Sequence, residues 1–233
     1  MSAPSQPEFD AFAGDYDRAL ERGISVSGES KDYFAEQRIL WLKRRMSQMG
    51  FAPRSILDFG CGTGSAAPHF RHHFPNARLV GTDVSERSIE RARELHADTG
   101  AQFAVHPGYR PPEPFDLVFC NGVFHHIPPA DRPDAIRYIA AVLRPGGLFA
   151  FWENNPWNPG TRIVMSRIPF DRDAITLAPP EARRLVRRAG LTALRTDALF
   201  IFPHPLRALR GLEPLLAPLP LGAQYMVLAR RPA

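Results

Sequence analysis

From Arg54 onward, short apolar runs alternate with amphipathic stretches, the pattern of a parallel sheet covered by helices. Strands are predicted near 54–59, 78–82, 101–105, 115–121, 147–153, 193–201 and 223–229. Helices are predicted between them at about 64–74, 85–97, 131–143 and 180–189. Pro68 fits the first of these helices only in its opening turn, while Gly146-Gly147 and Gly190 fit helix ends or tight turns. Upstream, Tyr33, Phe34, Ile39, Leu40 and Leu42 recur at helical spacing, with Arg38, Lys43 and Arg44 mostly opposite. Residues 25–30 read as a loop, and 9–17 are rich in aromatics without a sustained period. Near the C-terminus, Leu206, Leu209, Leu212, Leu215, Leu216 and Leu219 form an apolar stripe with Arg207 and Arg210 near its start. It reads either as a helix docked on the domain or closing a dimer, or as an interfacial segment meeting lipid or a lipid-linked substrate. Prolines interrupt any single continuous helix there.

A chain of 233 residues can bury one sizeable core, and it contains no Ser/Gly linker, internal repeat or second glycine motif. One domain over 1–233 is expected: a helical segment at 1–50, a core at 51–160 and further elements at 161–233. Cys61 and Cys120 make neither a disulfide framework nor a metal site, which fits a reducing cytoplasm. No apolar run is long enough to span a bilayer, and the start lacks the basic-then-apolar order of a signal peptide. The net charge of +5 comes largely from Arg scattered over helical segments such as 181–188. These read as solvated faces, and nucleic acid is set aside as a partner.

The chemistry concentrates at Ile56-Leu57-Asp58-Phe59-Gly60-Cys61-Gly62-Thr63-Gly64. A strand runs into an acid and then into alternating glycines, which turn tightly and let a ligand press against bare backbone. Asp58 would repel the pyrophosphate of a dinucleotide, whereas the ammonium and sulfonium of S-adenosylmethionine (SAM) welcome negative charge. Ser65 also stands where a third dinucleotide glycine would sit, which disfavours a dehydrogenase. A second acid, Asp83, ends the next strand about 20 residues on, the position of a ribose anchor.

With these motifs the chain resembles the class I SAM-dependent methyltransferases, from Ile56 to the C-terminus. The resemblance rests on 58–64, Asp83-Val84-Ser85, Phe115-Asp116-Leu117-Val118, Phe124-His125-His126-Ile127 and Leu143-Arg144-Pro145-Gly146-Gly147. It implies an α/β, Rossmann-like fold: a seven-stranded sheet of order 3-2-1-4-5-7-6, strand 7 antiparallel, helices on both faces and an N-terminal helical lid. It implies SAM as cofactor, S-adenosyl-L-homocysteine as product, and a small-molecule acceptor of the quinone, sugar or natural-product type. Cofactor contacts are expected from Tyr16, Asp58, Gly60, Cys61, Gly62, Thr63, Gly64, Asp83, Val84, Asn121, Gly122 and Val123. One departure stands out. Relatives present an acid to adenine after strand 3, whereas Phe103-Ala104-Val105-His106-Pro107-Gly108 has none, leaving His106 or backbone carbonyls.

Methyl transfer from a sulfonium is an in-line displacement whose cofactor brings its own leaving group, so no nucleophilic residue and no metal is expected. The resemblance places His125 and His126 beside the transferred methyl, and histidine is a suitable base. Adjacent side chains of an extended segment point apart, so at most one of the two should face the acceptor, with His126 preferred. Glu153 is a further candidate base or acceptor, or else it orients the neighbouring loop. Asn154, Asn155 and Trp157, in the polar loop after strand 5, are the substrate-binding candidates. The expectation is transfer to an O, N or C nucleophile of a small molecule, by a monomer or homodimer with no membrane span. The alternatives are an RNA or protein methyltransferase and a catalytically silent SAM-binding subunit.

Overall fold

A computed structural model describes residues 23–171 and 174–233. Its sheet has the order β3-β2-β1-β4-β5-β7-β6. The strands are β1 Ser55–Phe59, β2 Arg78–Asp83, β3 Gln102–Val105, β4 Phe115–Asn121, β5 Leu143–Asn154, β6 Thr192–Leu199 and β7 Gln224–Arg230. β1 to β5 pair in parallel, and β7 runs antiparallel to both β5 and β6. Both the strand order and the antiparallel last strand match the expectation.

Strands covered on both faces read as continuous apolar runs rather than as alternation. In β4 and β5 the faces separate residue by residue. Leu117, Phe119, Leu148, Ala150 and Trp152 join one core layer; Val118, Cys120, Phe149 and Phe151 join the other. The first layer is closed by α1 (Lys31–Gln48), α2 (Ala67–His73) and α3 (Glu86–Leu95). The second is closed by α4 (Arg132–Val142) and α6 (Pro179–Arg188). Ser30 and Ser85 cap α1 and α3 by accepting from the Tyr33 and Ser88 amides. A buried ion pair anchors α1 to the sheet edge. Asp197 on β6 accepts from Arg45 Nε at 2.8 Å and Trp41 Nε1 at 3.0 Å.

Three local expectations change. The first predicted helix begins at Ala67, because 60–66 are spent on the glycine turn, and Pro68 falls in the opening turn as its missing N–H requires. A helix, α5 (Pro159–Arg167), follows the loop after β5 where none was predicted; Asn158 caps it by accepting from the Thr161 amide at 3.1 Å. The leucine segment is a 3-10 stretch, His204–Leu212, followed by the single turn α7, Glu213–Leu216. Its leucines are not docked: Leu215 is 77% exposed, and Leu206, Leu209, Leu212 and Leu219 are also exposed.

Candidate active site

The two predicted acids stand together at the C-terminal ends of neighbouring strands. Asp58 is buried at the end of β1, and Asp83 closes β2. Gly60 and Cys61 hang from the Thr82 carbonyl at 2.7 and 3.0 Å, and Gly62 donates its amide to Asp83 Oδ2 at 2.9 Å. The second oxygen of Asp83 accepts from the Ser85 amide at 3.0 Å. One carboxylate thus ties the glycine turn to the start of α3. Three glycines of this turn, Gly60, Gly62 and Gly64, take positive φ. Gly60 has φ +73° and a side chain there would strike Val123 at 2.2 Å, whereas at Gly62, φ +52°, a Cβ would project into open space. Burial, reinforced by the charge of Asp83, pushes the Asp58 carboxyl up to about 7, with Arg38 acting in the opposite sense. Burial likewise raises the Cys61 thiol, so that side chain is a neutral wall.

Other expected cofactor positions are distributed around this turn. Thr63 is buried, Val84 is 44% exposed, and Asn121 to Val123 leave β4. Asn121 Oδ1 is buried without a hydrogen-bond partner among the described residues, an acceptor awaiting a donor. Two acids, an orphaned carbonyl and an open glycine backbone suit the ammonium and ribose of SAM, so the residues fit this cofactor. His106 is packed edge-on to Phe59 (5.2 Å) and against Tyr138 (4.5 Å), and burial lowers its pKa. Tyr16 lies outside the described residues.

The segment after β4 is not extended. His126 N bonds to the Val123 carbonyl at 3.0 Å and Ile127 N to that of Phe124 at 3.2 Å, forming a turn. The expectation that the two histidines point apart therefore fails. Their ring centres are 4.1 Å apart, and both rings line one cavity. Glu153, fully buried at the end of β5, holds this turn. Its Oε1 accepts from the Val123 and Phe124 amides at 3.1 and 2.7 Å, and its Oε2 pairs with His125 Nδ1 at 2.6 Å. From the other side, the buried Arg132 donates Nε to the Phe124 and Ile127 carbonyls.

Sequence reasoning missed Asp171, which approaches from the 3-10 turn Pro169–Asp171 that follows α5. Its Oδ1 lies 3.2 Å from His126 Nε2 and 3.5 Å from His125 Nε2. Burial alone would discharge His125, but Glu153 and then Asp171 outweigh it and hold the imidazole up to about 10. Burial would raise Asp171, yet its bonds to the two histidines bring it below the usual carboxylate range. Forty-five residues separate Asp171 from His126, and no local pattern in the sequence links them.

The cavity occupies about 460 Å³ and begins at Asn121, Gly122 and the histidines. Ile24, Phe34, Met165, Phe170, Phe200 and Phe202 form much of its wall. Polar groups enter along one line. Arg38 donates to Gln224 Oε1 at 2.8 Å, and Gln224 donates to Asn154 Oδ1 at 3.0 Å. Asn154 thus stands on the wall. Asn155 is turned away, its amide nitrogen engaged by the Pro220 and Gly222 carbonyls at 3.0 and 2.8 Å, and Trp157 is 53% exposed outside the lining.

Known proteins agree with this architecture. Residues 57–149 match the model of a methyltransferase domain family. A trans-aconitate 2-methyltransferase from Sinorhizobium fredii is 30% identical over 139 residues, which is 60% of this chain and 52% of that protein. The alignments span about half the length of the relatives they match. Among solved structures, a chain from a Haloferax volcanii complex between a methyltransferase activator and a methyltransferase superposes with TM-score 0.66 at 21% identity, covering 99% of this chain and 100% of that one. The magnesium protoporphyrin IX methyltransferase of Synechocystis, solved with bound S-adenosylhomocysteine, superposes with TM-score 0.63 at 16% identity, covering 96% of both chains. Residues 57–149 thus match a methyltransferase domain on a fold shared with known methyltransferases, and the paired acids fit SAM as a cofactor.

Proposed function

We propose that this protein moves the methyl group of SAM to an oxygen, nitrogen or carbon nucleophile of a small molecule held in the cavity. The observation that carries this reading is the cavity itself, which opens at the cofactor-side end of β4 and bears the histidine–aspartate cluster on its wall. When bound, SAM supplies both the methyl and the leaving group. Asp83 would hold its ribose hydroxyls, and Asp58 and Asn121 its ammonium. Glu153 and Arg132 fix the turn that presents His125 and His126, and the acceptor's proton leaves toward the cluster. His126 is its more accessible imidazole, with a side chain 16% exposed against 3% for His125.

The walls also bear on the acceptor. Trans-aconitate, named for the relatives, carries three carboxylates and calls for several cations. Here the charge of Arg210 is offset by Glu29 at 2.7 Å, Arg38 bonds to Gln224 and Lys31 is the other described lysine or arginine on the wall, while apolar side chains form much of the surface. We assign an acceptor with a largely apolar body and one polar reacting end. No helix among the described residues is long and apolar enough to cross a membrane, so a lipid-linked acceptor would be met at a surface.

The experiment is incubation with methyl-labelled SAM and fractionated small-molecule and lipid extracts. Label in a small organic product is expected, and trans-aconitate should be a poor acceptor. Label only in RNA or protein would overturn the reading, and SAM binding without any labelled product would point to a silent subunit.

A further inference from the structure

His125, His126 and Asp171 converge in a way that a proton relay does not demand. One ligand-type atom from each of the three side chains lies within 4.8 Å of the other two. Two of the separations are 3.2 and 3.5 Å. Donors placed about 2.0–2.2 Å from a tetrahedral cation are separated by roughly 3.4 Å, so these spacings already suit a common centre.

The surroundings are those of a built cation site. A metal-ligating histidine generally donates its other ring nitrogen to a carboxylate, which fixes the tautomer and aims the lone pair. Glu153 takes this place on His125 Nδ1 at 2.6 Å, and it is itself pinned by two backbone amides. The charges point the same way. Two buried carboxylates, Glu153 and Asp171, face a single imidazole pair, and buried charge is stable only when matched. A proton on the pair matches one of them; a divalent cation matches both. His126 and Asp171 also line the cavity, so a cation held by three protein ligands would keep a coordination position open toward the acceptor.

We propose that His125 Nε2, His126 Nε2 and Asp171 form a three-ligand site for a divalent transition-series cation of the zinc class, with its open position facing the acceptor's reacting atom. Two imidazoles and one carboxylate suit zinc, cobalt or ferrous iron over magnesium, which prefers all-oxygen ligands. Cation binding is independent of the activity proposed above; only the acceptor-holding role rests on that reading.

The test begins with chelator-treated protein whose SAM affinity shows that it is folded. Titration with Co²⁺ alone should reach one ion per chain, with visible absorption typical of low-coordinate nitrogen and oxygen ligation, and Zn²⁺ should displace it. Glu153→Gln should weaken binding about 10–100-fold, the usual effect of losing a carboxylate behind a ligating histidine. His126→Gln and Asp171→Asn, at the cavity wall, should weaken it further while SAM binding persists. Absence of stoichiometric Co²⁺ binding, or equal affinity in His126→Gln and Asp171→Asn, would overturn the site. Full methyl transfer by cation-free protein would overturn the acceptor role alone. Cation binding without any methylated product would support the site and count against the proposed activity.

Discussion

The turn after β1 and the turn after β4 lie at the same C-terminal end of the parallel strands and are built on different principles. The first is a backbone device: three glycines at positive φ, with amides hung on Thr82 and Asp83. The second opens on Gly122 at φ +68° but is held mainly by side chains: Glu153, Arg132 and Asp171, which arrive from three other elements. The first spans a few contiguous residues and one strand further on; the second depends on the whole sheet being assembled. The proposed cofactor pocket is therefore written locally, while the proposed acceptor pocket is a product of packing.

Breaking the second device should cost the most. Glu153→Gln would set an amide NH₂ against the His125 N–H and remove the charge facing a buried imidazolium. Loss of one partner from a buried pair costs about 3–5 kcal/mol. Chemical denaturation should show a stability loss of that size. An unchanged midpoint would mean that the turn stands without its clamp. Asp83→Ala strikes the first device. Two charge-assisted hydrogen bonds to the ribose, at about 1.5–3 kcal/mol each, correspond to a roughly 100-fold or greater loss of SAM affinity. Calorimetric titration showing equal affinity would remove the ribose assignment.

The next contrast is one of pH. Asp58 has a folded pKa of about 7 in place of 3.8, because of burial and Asp83, with Arg38 opposing and Cys61 neutral beside it. The folded chain without cofactor thus binds this proton more tightly than the unfolded chain. The resulting stability is complete below about pH 4 and is lost as pH rises toward 7. The ammonium of SAM favours the carboxylate, so SAM affinity should fall by up to about tenfold per pH unit below 7. Asp58→Asn should flatten that profile, and an equally steep profile in the variant would clear Asp58 of the role. The smallest effect belongs to the surface. Leu215→Ser should shift stability by less than about 0.5 kcal/mol, since that side chain is already 77% exposed. A thermal melt showing a larger loss would mean that the leucine segment has a packed partner.

What could be read in advance divides along the same line. The placing of Asp58, Gly60, Gly62 and Asp83 was legible because a tight turn needs glycine within a few residues and both acids lie at strand ends, which are local requirements. His125 and His126 were legible as candidates, yet their relative direction was not, because the pairing rule for extended backbone does not survive a turn. Asn155 has the composition of a binding residue and serves instead to hold the 220–222 backbone, which only its hydrogen bonds reveal. α5 was hidden because Pro159-Gly160 looks like loop; the Asn158 cap and the packing of Thr161 and Met165 outweigh that weak propensity.

By itself, then, the sequence determined the alternation of strand and helix, the two-sided core and the acid–glycine–acid turn. These are encoded by periodicity and by backbone chemistry at neighbouring positions. Tertiary structure alone decided that Glu153, His125, His126 and Asp171 meet, and that Phe34, Met165 and Phe202 wall a single cavity. Those contacts join residues far apart in the chain, and their geometry exists only once helices and loops have closed over the strand ends.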